Sequence, residues 1–152
     1  MRGLCDANVL LALAHARHTH HHPAVNWMAT ARAGEAGLCR FTQLAVLRLL
    51  ANRVVMGEAV RTNTDAWRVV RNLHGDPRFA WHAEPPGLDA QFAQYAPWPH
   101  SSPNRWQDAY LAAFAAAAGL ELVTFDGGFT SFAGPPKQRH EARDCRPMGK
   151  PL

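Results

Sequence analysis

With 152 residues, 47% of them hydrophobic, the chain is long and apolar enough to bury one core without disulfides or a structural metal, which excludes wholesale disorder. Its longest apolar runs, Val9 to Ala14 and Ala109 to Leu120, are too short to cross a bilayer and neither carries a signal-peptide cleavage pattern, so the chain reads as cytoplasmic with no membrane association. The formal charge is +4, and Lys137, Arg139, Arg143, Arg146 and Lys150 against Glu141 and Asp144 leave +3 of it after Pro136, so the body is near neutral and a basic tail is the only strongly charged segment.

In chain order, Gly3 to Cys5 reads as a short buried strand ending at Asp6, followed by a helix through Val9 to Ala14. That is a strand-to-helix switch with an acid at the corner. A histidine-rich stretch, His15 to His22, precedes Pro23, which opens a second helix with Ala24, Val25, Met28 and Ala31 at helical spacing until Gly34 and Gly37 break it. Leu38 to Phe41 suits a second strand, with Thr42 as N-cap of an apolar helix from Leu44 to Ala51. A helix over Thr64 to Leu73, a strand over Phe79 to His82 and a short helix over Leu88 to Tyr95 follow. Pro97 to Pro103 is a loop, Ser102 and Pro103 make a cap and first turn for a helix running to Ala118, and Leu122 to Phe125 is a strand ending at Asp126. Cys5, Cys39 and Cys145 form no Cys-x-x-Cys pair and signal neither a disulfide framework nor a zinc site. Strands alternating with helices make the fold class α/β, with a mostly parallel sheet covered on both faces. The expected organisation is one domain over residues 1–134 and a basic, unstructured tail over 135–152.

In such sheets ligands gather beyond the carboxyl ends of the strands, where Asp6 and Asp126 are both expected. Asp108, early in the helix before the last strand, can reach the same rim. Clustered carboxylates raise one another's pKa unless a cation offsets them, and hard oxygen ligands favour Mg2+ or Mn2+. Such an ion can bind a phosphodiester and activate a water against it. The same aspartates are also ordinary helix caps and turn residues.

The segments Leu4-Cys5-Asp6-Ala7-Asn8-Val9-Leu10-Leu11-Ala12-Leu13, Trp106-Gln107-Asp108-Ala109-Tyr110-Leu111-Ala112-Ala113-Phe114-Ala115 and Leu122-Val123-Thr124-Phe125-Asp126 resemble, in order and spacing, the signature blocks of PIN-domain toxins of the VapC type. Cys39-Arg40-Phe41-Thr42-Gln43-Leu44 to Leu50 resembles the second block of one branch, so the likeness runs from about residue 3 to 133. The resemblance implies a three-layer α/β/α PIN-like fold and a Mg2+- or Mn2+-dependent endoribonuclease that cuts structured RNA such as tRNA. It further implies silencing by a cognate VapB-like antitoxin and pairing as a homodimer. Asp6, Asp108 and Asp126 would be the catalytic metal ligands, with Asn8 and Asn104 as supports that hydrogen-bond RNA or metal-bound water. Arg48 falls where most active members of the family place a glutamate ligand. It either contacts phosphate, pairs with a site acid, or is a structural or surface arginine. The departure keeps a second reading open, a catalytically weakened module that binds RNA or antitoxin, and a DNA-directed phosphodiesterase is a third.

The remaining features have two readings each. His15, His18, His20, His21 and His22 either capture a transition metal or form a solvated loop. Arg53, Arg61, Arg68, Arg71 and Arg78 either track an RNA backbone or decorate helix faces. Trp27, Trp67 and Trp106 read as core anchors, whereas Trp98 in the proline-rich loop either stacks on a base or supports the loop. Leu10, Leu13 and the helix from Leu44 to Leu50 either join the core or form a dimer or antitoxin surface.

Overall fold

The computed structural model describes residues 2–132 and 143–144. In chain order the elements are β1 (Gly3–Cys5), α1 (Ala7–Ala14), α2 (His21–Thr30), β2 (Ala36–Cys39), α3 (Arg40–Leu50), α4 (Arg53–Met56), a 3-10 turn (Gly57–Ala59), α5 (Asn63–Gly75), β3 (Phe79–His82), α6 (Leu88–Tyr95), α7 (Arg105–Ala118), β4 (Glu121–Thr124), a second 3-10 turn (Gly127–Phe132) and β5 (Arg143–Asp144). The strands form one sheet of order β3-β2-β1-β4-β5, every neighbouring pair parallel. From β1 the chain builds outward through β2 and β3 on one side and returns to place β4 on the other. The junction of β1 and β4 is therefore the topological switch point, the crevice where open α/β sheets bind ligands.

Alternation along the short strands divides the core into two layers. Leu4, Cys39 and Leu122 face the layer built on α6 and α7, with Phe114 at its centre. Cys5, Ala36 and Leu38 face α1, α3 and α5 through Leu10, Val46, Leu50 and Val70. This is the α/β/α sandwich expected from the alternation of elements. Close strand approach explains Gly37 between β1 and β3, since a Cβ there would stand 2.7 Å from the Gly3 carbonyl oxygen. No described helix is long and apolar enough to cross a membrane.

Several boundaries differ from the sequence reading, each for a local reason. The second strand ends at Cys39 instead of Phe41, because Thr42 is the third helical residue of α3 instead of its cap: its hydroxyl accepts from the Cys39 N–H at 3.2 Å. Helix α7 opens at Arg105 with Asn104 as its N-cap, so Ser102 and Pro103 belong to the preceding turn. Helix α2 starts at His21, two residues before Pro23. Helix α4 was not expected; Asn52 initiates it by accepting from the Val54 N–H at 2.9 Å. Arg143–Asp144, inside the tail expected to be unstructured, pairs with Val123 and Thr124 as the edge strand β5. The rest of that tail lies outside the described residues.

Three groups of side chains left open or read as core in the sequence are placed by the structure. Leu10 is fully buried, which removes it from any partner surface, whereas Leu44 is 58% exposed. Trp27 packs beside Val9 and Val123, but Trp67 and Trp106 are 45% and 56% exposed and do not anchor the core. Among the mid-chain arginines, Arg78 is structural: Nε donates to Asp76 at 3.0 Å and Nη1 to the Met28 carbonyl at 3.1 Å, tying the end of α2 to the start of β3. Arg68 pairs with Asp65 at 2.7 Å.

Candidate active site

Strand β1 delivers Asp6 and strand β4 delivers Asp126 because the two strands lie in register, Cys5 opposite Val123. The Asp6 N–H extends the ladder by donating to the Val123 carbonyl at 2.9 Å. Asp6 then becomes the N-cap residue of α1, so its carboxylate sits at the positive end of that helix. Only 9% of the residue is exposed. Burial pushes its pKa up and Asp126 adds to the rise, while the Thr124 hydroxyl and the Ala7 and Asn8 N–H groups oppose it.

Thr124 joins the two acids. Its buried hydroxyl donates to Asp6 Oδ2 at 3.0 Å and accepts from the Asp126 N–H at 3.0 Å. The sequence reading missed this residue, although Thr124 lies inside the quoted block, two positions before its aspartate. Asp126 is exposed, and its Oδ1 accepts from the Gly128 N–H at 2.7 Å, which starts the following turn. The acid thus serves the turn as well as the rim.

Asp108 lies in the first turn of α7. Its pKa is raised by burial first, then by the charges of Asp126 and Asp6, with Arg105 opposing. Asp108 thus feels the charges of Asp126 and Asp6, and Asp6 feels that of Asp126, at one edge of the sheet. The three acids do not form a finished coordination sphere: among the described residues, no three His, Cys, Asp or Glu side chains are grouped to hold a metal as they stand.

The supporting residues divide. Asn8 is exposed next to Asp6 in α1, and Asn104 is exposed at the N-cap of α7, where its carbonyl accepts from the Asp108 N–H at 3.4 Å. Both stand beside the acids. Arg48 does not. It stands eight positions past Arg40 in α3, about 12 Å down the helix axis at the usual rise, and lines a groove with Leu44, Asn52 and Trp67. The polar side chains that α3 buries in its first turn are Thr42 and Gln43, the latter accepting from Arg40. In the histidine stretch His20 stacks on Phe125 at 4.4 Å between centroids, and His21 Nδ1 meets the Ala12 carbonyl at 2.7 Å. These rings serve as packing and capping groups instead of a metal cage.

The PIN domain family model matches residues 4–135. The chain belongs to the PIN domain family. Its VapC-type branch is indicated by Ribonuclease VapC41 of Mycobacterium tuberculosis, 44% identical over 136 residues that cover 86% of this chain and 93% of that protein. Ribonuclease VapC29 of the same organism is 32% identical over 88% of this chain and 92% of its own length. The crystal structure of M. tuberculosis VapC20, described as a Sarcin-Ricin loop cleaving toxin, superposes with a TM-score of 0.63 over 84% of this chain and 92% of that one, at 15% identity. That match supports the three-layer PIN fold. PIN-domain nucleases generally use divalent metals, and VapC toxins pair with VapB antitoxins.

Proposed function

We propose that this VapC-type PIN domain is a toxin endoribonuclease in which Asp6, Asp108 and Asp126 hold Mg2+ or Mn2+ at the β1/β4 crevice. The observation that carries the reading is the register of β1 with β4, which sets Asp6 and Asp126 at the switch point with buried Asp6 bonded to Thr124 and Thr124 to the Asp126 N–H, while the charges of both acids act on Asp108. The donor set fits a hard cation: it is all oxygen, its charges repel without one, and no described histidine or cysteine joins it. When bound, the ion would polarise a scissile phosphate and lower the pKa of a water aimed at it. Asp6 is fixed by its own strand end and by Thr124, so it supplies a preset anchor. Asp108 and Asp126, more exposed, would complete the set from the first turn of α7 and the end of β4. Asn8 and Asn104 present amides beside the acids, where they can hydrogen-bond RNA or the attacking water.

The proposed setting is the cytoplasm, with RNA, tRNA among the possible targets, as substrate and a VapB-like antitoxin as restraint. The groove between α3 and α5, about 850 Å³ with Leu44 and Trp67 on its walls and Arg48 and Arg53 at its edge, suits an antitoxin segment that is apolar on one face and acidic at its flanks. A homodimer belongs to the same reading.

Mn2+-dependent turnover of RNA by the purified protein tests it. The parent is expected to cut RNA in Mn2+ and to stop in EDTA. Asp6→Asn should lower the rate by roughly a hundredfold or more without unfolding the protein, and an equal rate in that variant would overturn the assignment. The alternative, a weakened RNA- or antitoxin-binding module, draws support from the lack of a finished three-ligand group among the described residues. It predicts binding without turnover at saturating Mn2+.

A further inference from the structure

At the start of α7 lies a second cavity, about 540 Å³, walled by Trp98, His100, Ser101, Ser102, Arg105 and Trp106. Its composition is unlike that of the rest of the surface. The Arg105 guanidinium is held between two rings, 3.6 Å from the Trp98 centroid and 4.2 Å from that of Phe132. Nη1 donates to the Ser131 hydroxyl at 3.1 Å, while Nε is buried with no acceptor among the described residues. Trp98 and Trp106 nevertheless remain 49% and 56% exposed. Two half-exposed indoles in one hollow cost free energy in water and need an apolar, flat occupant. The cavity is tied to the active site through α7, where Arg105 stands one turn before Asp108 and acts on its charge.

We propose that this cavity is a nucleotide subsite that takes an unpaired RNA base adjacent to the scissile phosphate, stacked against Trp98 and Trp106, with Arg105 directed at the neighbouring phosphate. The inference rests on the nuclease reading for its register, but the binding it describes is independent of turnover. Stacking on an indole is available to any base, and the guanidinium, its two faces already covered by Trp98 and Phe132, can add a charged N–H contact to a phosphate. Ser101, Ser102 and His100 also line the cavity and offer hydroxyl and imidazole groups for discrimination. A paired base cannot enter, because its faces are already covered by its neighbours. The subsite therefore selects single-stranded or looped RNA, which a metal site alone does not.

Binding of a fluorescein-labelled, unstructured RNA of about ten nucleotides, measured by anisotropy in EDTA so that no cleavage intervenes, tests the subsite. The same RNA annealed to its complement is the control. The parent should prefer the single strand. Trp98→Ala should raise Kd for the single strand about tenfold or more, leave the weaker duplex affinity unchanged, and lose the preference; Trp98→Phe, which keeps a ring, should restore most of it. Melting curves of both variants establish that they are folded. Should Trp98→Ala disturb folding, a 4-thiouridine-substituted RNA photocrosslinked to the unaltered protein should label residues 96–106. Unchanged single-strand affinity in folded Trp98→Ala, or crosslinks confined elsewhere, would overturn the subsite and leave the nuclease reading intact. Trp98-dependent binding by a parent that never cleaves would do the reverse.

Discussion

The rim where β1 and β4 end and the groove between α3 and α5 are both locally unfavourable, in opposite senses. At the rim a carboxylate is buried: Asp6 keeps 9% of its surface in water and carries a raised pKa. In the groove region apolar side chains are exposed, Leu44 at 58%, Val54 at 95% and Trp67 at 45%. A buried carboxylate and an exposed apolar wall favour neighbours of different chemistry. On the proposed reading the rim holds a hard cation and the groove takes a partner chain. Arg48 lines the groove of the second region.

Separating the two regions experimentally sharpens that contrast. The larger effect is expected at the rim. Thr124→Val removes the hydroxyl that donates to Asp6 and accepts from Asp126 while nearly preserving volume. A hydrogen bond to a charged group contributes about 1.5–3 kcal/mol, so RNA cleavage should fall about ten- to a hundredfold, with antitoxin affinity unchanged. Thr124→Ser should recover most of the rate, and equal rates for the Val and Ser variants would show that the bridge is idle.

Next comes the groove, where Leu44→Asp places a charge on the apolar wall. The complex with the cognate antitoxin should weaken about tenfold or more, read by titration calorimetry, while cleavage by the free toxin is unaltered. A loss of cleavage instead would join the two regions that the structure keeps apart. Smallest of all is Arg48→Ala. Its cleavage rate should stay within about twofold of the parent, because an exposed arginine some 12 Å down the helix from the rim touches no site acid; a hundredfold loss would restore it to the active site.

Much of this was legible in the residues. The strand–helix alternation predicted the parallel sheet; Asp6 and Asp126 stood out because each follows a strand, and Asp108 because it lies early in the helix before the last strand. Boundaries were less legible where a side chain could cap in two ways: Thr42 has a cap's composition, but its hydroxyl works from the third helical position back onto Cys39. The role of Arg48 stayed open between a site contact and a surface arginine because sequence spacing gives a position along a helix and not which end of α3 meets the rim. Thr124 was invisible for a different reason. Its bond to Asp6 spans 118 residues, and no local pattern reports a contact that only strand register creates. Trp67 and Trp106 show the limit of helical periodicity, which finds a face but not whether that face is covered.

Mn2+ binding, followed by the electron paramagnetic resonance signal of the free ion, tests most directly whether the three acids act as one centre. The parent should bind Mn2+ near neutral pH, and each of Asp6→Asn, Asp108→Asn and Asp126→Asn should weaken binding by about tenfold or more. Because Asp6 and Asp108 have raised pKa values, protons should displace the ion at a pH above the usual aspartate range. Parent-like Mn2+ affinity in any one of the three variants would contradict a shared site.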